Sequence, residues 1–190
     1  MIQTKYWSYY PTFIPDYVFD PLYEVVKDYC VEGINKNRIS CVYSNKVDVD
    51  YWKLPVYKWE DGPSVLGEIR KLVEQRTQEK YDYVLVHIYK SGKAGIGYHR
   101  DDEATRSSVV SISLGATRKF RFRLLHQTQG WEDELHLKNG DMVWMHGPNI
   151  TGDLSCQEVY SHSVPVESKV KKARINLTFR QYHYNTSEIV

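Results

Sequence analysis

The chain has 190 residues, 42% hydrophobic and 26% charged, a balance that fits one soluble globular domain with an ordinary core. A net charge of +1, from 25 Lys and Arg against 24 Asp and Glu, excludes a protein that coats nucleic acid by charge alone, although a local basic face survives that average. No apolar run approaches a membrane span, and Met1 to Phe13 lacks the basic-then-apolar order of a secretory signal, so an intracellular, monomeric protein with no membrane partner is the expectation.

The first helix is expected from Asp20, an N-cap followed by Pro21 at the first helical position. Leu22, Val25, Val26, Tyr29 and Cys30 share one face of it, and Gly33 stops it. A second helix follows the turn Asp61-Gly62-Pro63-Ser64, with Val65, Leu66, Ile69, Leu72 and Val73 at helical spacing and Arg70, Lys71 and Glu74 on the other side. Both helices are expected to pack on a sheet. From Tyr81 the pattern changes to short strand-like runs at 83–89, 109–114, 119–125, 141–145 and 174–179. Lys119-Phe120-Arg121-Phe122-Arg123-Leu124 alternates polar and apolar as a strand with one wet face does. Asn139-Gly140, between Leu135-His136-Leu137 and Met142-Val143-Trp144-Met145, predicts a tight hairpin. No repeat or low-complexity linker interrupts the chain, so residues 1–190 form one α+β unit whose C-terminal half is a sandwich or jelly roll.

Cys30, Cys41 and Cys156 are odd in number and far apart along the chain, which suggests neither a disulfide framework nor a structural zinc site; reduced thiols are expected. The 16 tyrosines supply rings for stacking on bases and equally for sheet cores.

The sharpest local feature is His99-Arg100-Asp101, just past the glycine-rich turn Ser91-Gly92-Lys93-Ala94-Gly95-Ile96-Gly97. A histidine and a carboxylate two positions apart in extended backbone project to the same side and can share a metal ion. His162, in Tyr160-Ser161-His162-Ser163-Val164-Pro165, is the best third ligand, because it precedes a strand-like segment far down the chain. Two histidines and a carboxylate on one face of an octahedron leave three positions open, the arrangement used for iron(II) with a chelating cosubstrate and oxygen. Taken alone, an H-x-D triplet is better explained by chance, and a histidine near Pro165 by a surface position.

A second signal is Arg174-Ile175-Asn176-Leu177-Thr178-Phe179-Arg180, where residues 174, 176, 178 and 180 alternate onto one face of a strand. Burying two guanidinium groups is expensive unless a dianion such as 2-oxoglutarate neutralises them through bidentate pairs. A strand whose polar side faces water explains the same pattern equally well.

With these elements in order, the segment from Tyr81 to Arg180 resembles the AlkB family of dioxygenases. The likeness rests on His99-Arg100-Asp101-Asp102-Glu103, Ser111-Ile112-Ser113-Leu114-Gly115-Ala116, Phe120-Arg121-Phe122-Arg123, Leu137-Lys138-Asn139-Gly140-Asp141, His162 and the Arg-x-Asn-x-Thr-Phe-Arg run ending at Arg180. The resemblance implies a double-stranded β-helix at 81–184, with residues 1–80 supplying helices and a nucleotide-recognition lid. It implies catalytic iron(II) held by His99, Asp101 and His162, and 2-oxoglutarate held by Tyr89, Arg174, Asn176 and Arg180 with Thr178 nearby. One position departs from the family: His87-Ile88-Tyr89 stands where Asn-x-Tyr is usual. Imidazole still donates a hydrogen bond to a carboxylate, but it is larger and titrates.

The implied reaction couples oxidative decarboxylation of 2-oxoglutarate by O2 to hydroxylation of an N-methyl group on a nucleic-acid base. Such a base is cationic, so a carboxylate beside the metal favours it over its neutral parent. Asp102 is the expected base-recognition residue, with Glu103 second; a solvated acidic turn is the bland alternative. Tyr57-Lys58-Trp59 resembles the family's tyrosine-x-aromatic lid, which makes Trp59 the expected stacking partner of a flipped base. Tyr51 or Trp52 could fill that place, Tyr43 could line the lid, and a core tryptophan accounts for Trp59 equally well. Competing readings are a dioxygenase of the same fold acting on modified RNA or a protein side chain, and a non-catalytic nucleic-acid binding module.

Overall fold

The computed structural model describes residues 1–33, 37–47 and 53–182. In chain order it contains β1 (Ile2–Gln3), β2 (Trp7–Tyr10), α1 (Phe19–Val26), β3 (Val31–Glu32), β4 (Arg38–Ser44), β5 (Val56–Lys58), α2 (Ser64–Thr77) and β6 (Tyr83–Tyr89). There follow β7 (Ile96–His99), β8 (Val109–Gly115), β9 (Arg118–Leu124), β10 (Asp133–Leu137), β11 (Asp141–Met145), the short helices α3 (Pro148–Thr151) and α4 (Cys156–Val159), β12 (Tyr160–Val164) and β13 (Arg174–Arg180). No described helix is long and apolar enough to cross a membrane.

The strands form two sheets. The major sheet runs β1-β2-β11-β8-β13-β6-β4-β3, with β5 added in parallel to β4; the minor sheet runs β10-β9-β12-β7. From β6 to β13 the chain passes back and forth between the sheets, only β9 and β10 being consecutive in one of them, which makes this a double-stranded β-helix with α1 and α2 laid on the outside of the major sheet. Two cores result. Leu22, Val26, Leu66, Ile69 and Val73 of the helices pack on Val84, Val86, Ile112, Ile175, Leu177 and Phe179 of the major sheet. Trp7, Tyr89, Phe120, Phe122, Leu137 and Val143 fill the space between the sheets.

Helix α1 differs from the expectation. A 3-10 turn, Asp16–Val18, leads into it, so Asp20 lies in its first turn rather than at its cap, and it ends at Val26, well short of Gly33. Val31–Glu32 pairs instead with β4, and the strand ladder outcompetes further helix. Val25 and Leu72, expected inside, are exposed because only a narrow stripe of each helix reaches the sheet, and Tyr29, beyond the end of α1, is exposed as well.

The expected hairpin at Asn139-Gly140 does not form. β10 pairs with β9 in the minor sheet, whereas β11 pairs with β8 and β2 in the major sheet, so the turn is a crossing between sheets. Its geometry is nevertheless specific: Gly140 has φ of 84°, and a Cβ there would stand 2.0 Å from the carbonyl oxygen of Ile14. The Asn139 amide oxygen accepts from Gly115 N–H at 2.8 Å, and its nitrogen donates to the Asp16 carbonyl. Local turn chemistry was legible, but which strand it joined depended on long-range pairing.

Candidate active site

Strand β13 sits in the middle of the major sheet between β6 and β8 and is buried on both faces. Ile175, Leu177 and Phe179 face the helices, and Arg174, Asn176, Thr178 and Arg180 face the minor sheet. The water-facing alternative for this strand is thereby removed. Each guanidinium finds different company. Arg180 Nη2 donates to Asp101 Oδ1 at 2.6 Å, and its Nη1 pairs with Glu103. Arg174 meets no carboxylate within salt-bridge reach among the described residues; Nε and Nη2 donate to the Ser113 hydroxyl at 3.2 and 2.7 Å, and buried Nη1 has no partner. Burial pushes the Arg174 pKa down to about 10, with Tyr89 opposing and neighbouring Arg118 adding to the fall. The group remains charged at neutral pH.

Across the gap, the edge of the minor sheet brings the other residues in. β7 ends at His99, which is a direct ladder partner of His162 on β12. Donor atoms of His99, Asp101 and His162 lie within 4.8 Å of one another, and His162 Nε2 is 3.9 Å from Asp101 Oδ2. His99 Nδ1 is 2.9 Å from the carbonyl of Gly97. Since a carbonyl only accepts, Nδ1 carries the proton and Nε2 keeps its lone pair for a metal. Phe120 stacks on His162 with centroids 5.4 Å apart. Burial first, then the neighbouring His99 and the charge of Arg180, hold the His162 pKa well below its usual value, so the ring is neutral and competent as a ligand. Asp101 is aimed by its own backbone N–H, which donates to the Gln157 side chain at 3.0 Å. Gln157, on α4, is a positioning residue that no sequence motif marked.

Asp101 Oδ2 is buried with no hydrogen-bond partner among the described residues. An orphaned carboxylate oxygen beside two imidazoles fits a divalent cation, and an orphaned guanidinium N–H fits a carboxylate. An unsatisfied buried polar atom costs about 1–3 kcal/mol, more when charged, which a ligand at each place recovers. The donor set is two nitrogens and one oxygen with open positions, the pattern of a non-haem iron(II) site.

A narrow chamber joins the two ends; His87, Tyr89, His99, His162, Asn176 and Arg180 are among its walls. Arg174 does not line it but stands 5.1 Å from the ring centroid of Tyr89, which does. Tyr89 also lies 5.9 Å from the Arg38 guanidinium and 5.7 Å from that of Arg118, two cations that sequence reasoning missed. Arg118 is held by carbonyls of Ala94 and Pro165 and by Glu167, and so ties β9 to the loops around the chamber. His87 sits between Ser40 and Asn176 in register, with its Nδ1 2.6 Å from the Ser40 hydroxyl. Burial first, then the charges of Arg38, Arg180 and Arg174, keep its pKa well below normal.

The chamber opens into a larger cavity of about 480 Å³, lined by Arg38, Leu54, His99, Asp102, Glu103 and others. Asp102 is 73% exposed in its side chain and paired with Arg100; Glu103 is 39% exposed and paired with Arg180, the guanidinium that also holds Asp101.

The lid aromatics require a correction. β5 joins β4 with Tyr57 beside Tyr43, and Tyr43 is a fully buried member of the helix-facing core. The Tyr57 hydroxyl donates to the Tyr29 carbonyl at 3.2 Å. Trp59 stacks on Phe179 at 6.4 Å, lies 4.6 Å from the Arg70 guanidinium, and donates from Nε1 to the Asp82 carbonyl at 3.0 Å. All three rings are on the helix-facing side of the sheet: alternation along β4 turns Tyr43 that way, Tyr57 sits beside it in the β4–β5 register, and Trp59, just past β5, stacks on helix-facing Phe179. Tyr51 and Trp52 lie outside the described residues.

A jelly roll that brings two histidines and an aspartate to one point, opposite buried arginines, defines the class of non-haem iron oxygenases. The family model described as 2OG-Fe(II) oxygenase superfamily matches residues 35–180. DNA oxidative demethylase ALKBH2 of Bos taurus is 37% identical over 126 residues, covering 62% of this chain and 43% of that protein. Alpha-ketoglutarate-dependent dioxygenase alkB homolog 3 of Mus musculus is 29% identical over 119 residues, covering 61% and 42%. The solved structure of OsALKBH1 superposes with a TM-score of 0.69 at 17% identity, covering 96% of this chain and 99% of that one. The chain belongs to the 2OG-Fe(II) oxygenase superfamily, and within it its sequence is similar to the AlkB relatives just named. It spans about half the length of the curated relatives it matches.

Proposed function

We propose that this protein oxidatively demethylates N-alkylated nucleic-acid bases of the 1-methyladenine and 3-methylcytosine type, consuming O2 and 2-oxoglutarate and releasing formaldehyde, succinate and CO2. The observation that carries the reading is the orphaned Asp101 oxygen at one end of the site and the orphaned Arg174 N–H at the other. His99, Asp101 and His162 would hold the iron, and Tyr89, Arg174, Asn176 and Arg180 would hold 2-oxoglutarate, with His87 and Thr178 alongside. Iron and cosubstrate, once bound, supply the oxidising chemistry.

The protein's own part is orientation and charge. Gly97 fixes the His99 tautomer, Gln157 aims Asp101, and burial keeps His162 neutral. Arg180 would take a cosubstrate carboxylate beside Glu103, and the Glu103 carboxylate, in the wall of the large cavity, would supply charge complementary to a cationic base. Asp102, exposed and paired with Arg100, is screened by water and contributes less. The named demethylase activity of the ALKBH2 relatives supports the same substrate class. The test is mass spectrometry of a methylated oligonucleotide after incubation with protein, iron(II), ascorbate and 2-oxoglutarate. Loss of the methyl group with matching succinate is expected; an unchanged oligonucleotide across single-stranded DNA, duplex DNA and RNA overturns the reading.

A further inference from the structure

β3 and β4 are antiparallel, with Val31 opposite Ser40 and Glu32 opposite Ile39. Continuing that register by one pair sets Cys30 opposite Cys41. Directly opposed residues in an antiparallel ladder have Cα atoms about 4.5–5.5 Å apart, inside the range of about 4.4–6.8 Å that a disulfide spans. The two Sγ atoms are 3.0 Å apart, and both cysteines are free thiols. The expectation that the cysteines are remote from one another is thus corrected: 11 positions of sequence separation become a side-chain contact once the chain reverses.

The two sulfurs differ in access. Cys41 is fully buried against the helix-facing core, and Cys30 is half-buried at its margin. The contact with Cys30, and then burial, push the Cys41 thiol up. Cys30 is accordingly the sulfur that an outside reagent reaches first, and Cys41 is held where a resolving thiol belongs. Cys156, buried at α4, has neither a thiol neighbour nor access.

We propose that Cys30 and Cys41 form a redox-modification site that hydrogen peroxide closes to a disulfide. Cys30 thiolate attacks the peroxide oxygen, the O–O bond breaks, and Cys30 becomes a sulfenic acid as hydroxide leaves and is protonated to water. Cys41 then attacks the Cys30 sulfur, the S–O bond breaks, and a second water departs with the Cys41 proton. Two thiols lose two electrons and two protons, and one hydrogen peroxide is reduced. The bond would lock β3 to β4, and that strand pair rims the large cavity through Gly33, Arg38 and Ser40. The site stands on the opposite face of β4 from Ser40, so it acts on the cavity wall rather than on the iron ligands.

The test uses the full chain, reduced and then titrated with hydrogen peroxide, denatured, alkylated with iodoacetamide and digested for mass spectrometry. The expected result is one cross-linked peptide pair containing Cys30 and Cys41, lighter by two hydrogens than its parts and restored by a phosphine reductant, with Cys156 alkylated throughout. Cys30→Ser, at a half-buried position, should fold, lose the cross-link and leave Cys41 alkylatable. Full alkylation of both thiols after peroxide, sulfinic acid on Cys30 without a cross-link, or pairing through Cys156 overturns the proposal.

Discussion

His99 and His162 are direct partners across the β7 and β12 ladder, with ring centroids 4.3 Å apart. A metal bound by both therefore clamps two strands of the minor sheet together. Manganese(II), as a redox-quiet probe, is expected to raise the melting temperature; occupancy at 100 times Kd is worth about 2.7 kcal/mol. His162→Ala should lose both the shift and succinate production, by more than the roughly 100-fold that loss of a ligand's supporting partner costs. Calorimetry with and without the metal checks it, and a retained shift in the variant counts against this site.

Arg174 offers an unpartnered N–H where Arg180 already holds carboxylates. Arg174→Lys keeps the charge but not the fork, so 2-oxoglutarate affinity should fall about 10- to 100-fold, the equivalent of about 1.5–3 kcal/mol for a charge-assisted hydrogen bond. Isothermal titration with 2-oxoglutarate reads this directly. Unchanged affinity would remove Arg174 from the cosubstrate site.

His87 accepts or donates through Nδ1 to Ser40 and faces the chamber. His87→Asn supplies an amide of smaller volume with the same donor capacity, and turnover of 2-oxoglutarate should be unchanged or raised. Complete loss of succinate production would show that the imidazole has a role of its own.

Trp59 is a structural ring. Trp59→Ala should lower the unfolding free energy by about 3 kcal/mol, the low end for removing a packed tryptophan, since its ring is only partly buried. The KM for a methylated oligonucleotide should not change once the fraction folded is taken into account. A selective rise in KM without loss of stability would return Trp59 to the lid.

Glu103 and Asp102 separate by the same logic. Glu103→Gln is expected to raise the KM for a cationic methylated base several-fold, and Asp102→Asn much less, because its carboxylate is exposed and screened. Equal effects in steady-state kinetics would sink the distinction.

Much of the site was legible along the chain because its chemistry is local. The His-x-Asp pair and the alternating arginine strand are short-range patterns, and the order of motifs from Tyr81 to Arg180 carries the family. The strands at 83–89 and 141–145 are legible to the residue, since each is a short apolar run rich in β-branched and aromatic residues between polar or turn residues. What only the tertiary structure decided is which face each strand turns inward and which strand lies beside it. Pairing β5 to β4 sent Tyr57 and Trp59 to the helices, crossing at Gly140 replaced a hairpin, and a register of one pair brought Cys30 to Cys41. Arg38, Ser40, Arg118 and Gln157 carry no motif, because each matters only through a partner on another strand. The physical reason is one of range: side-chain alternation is a property of consecutive residues, whereas sheet pairing is chosen by burial summed over the whole domain.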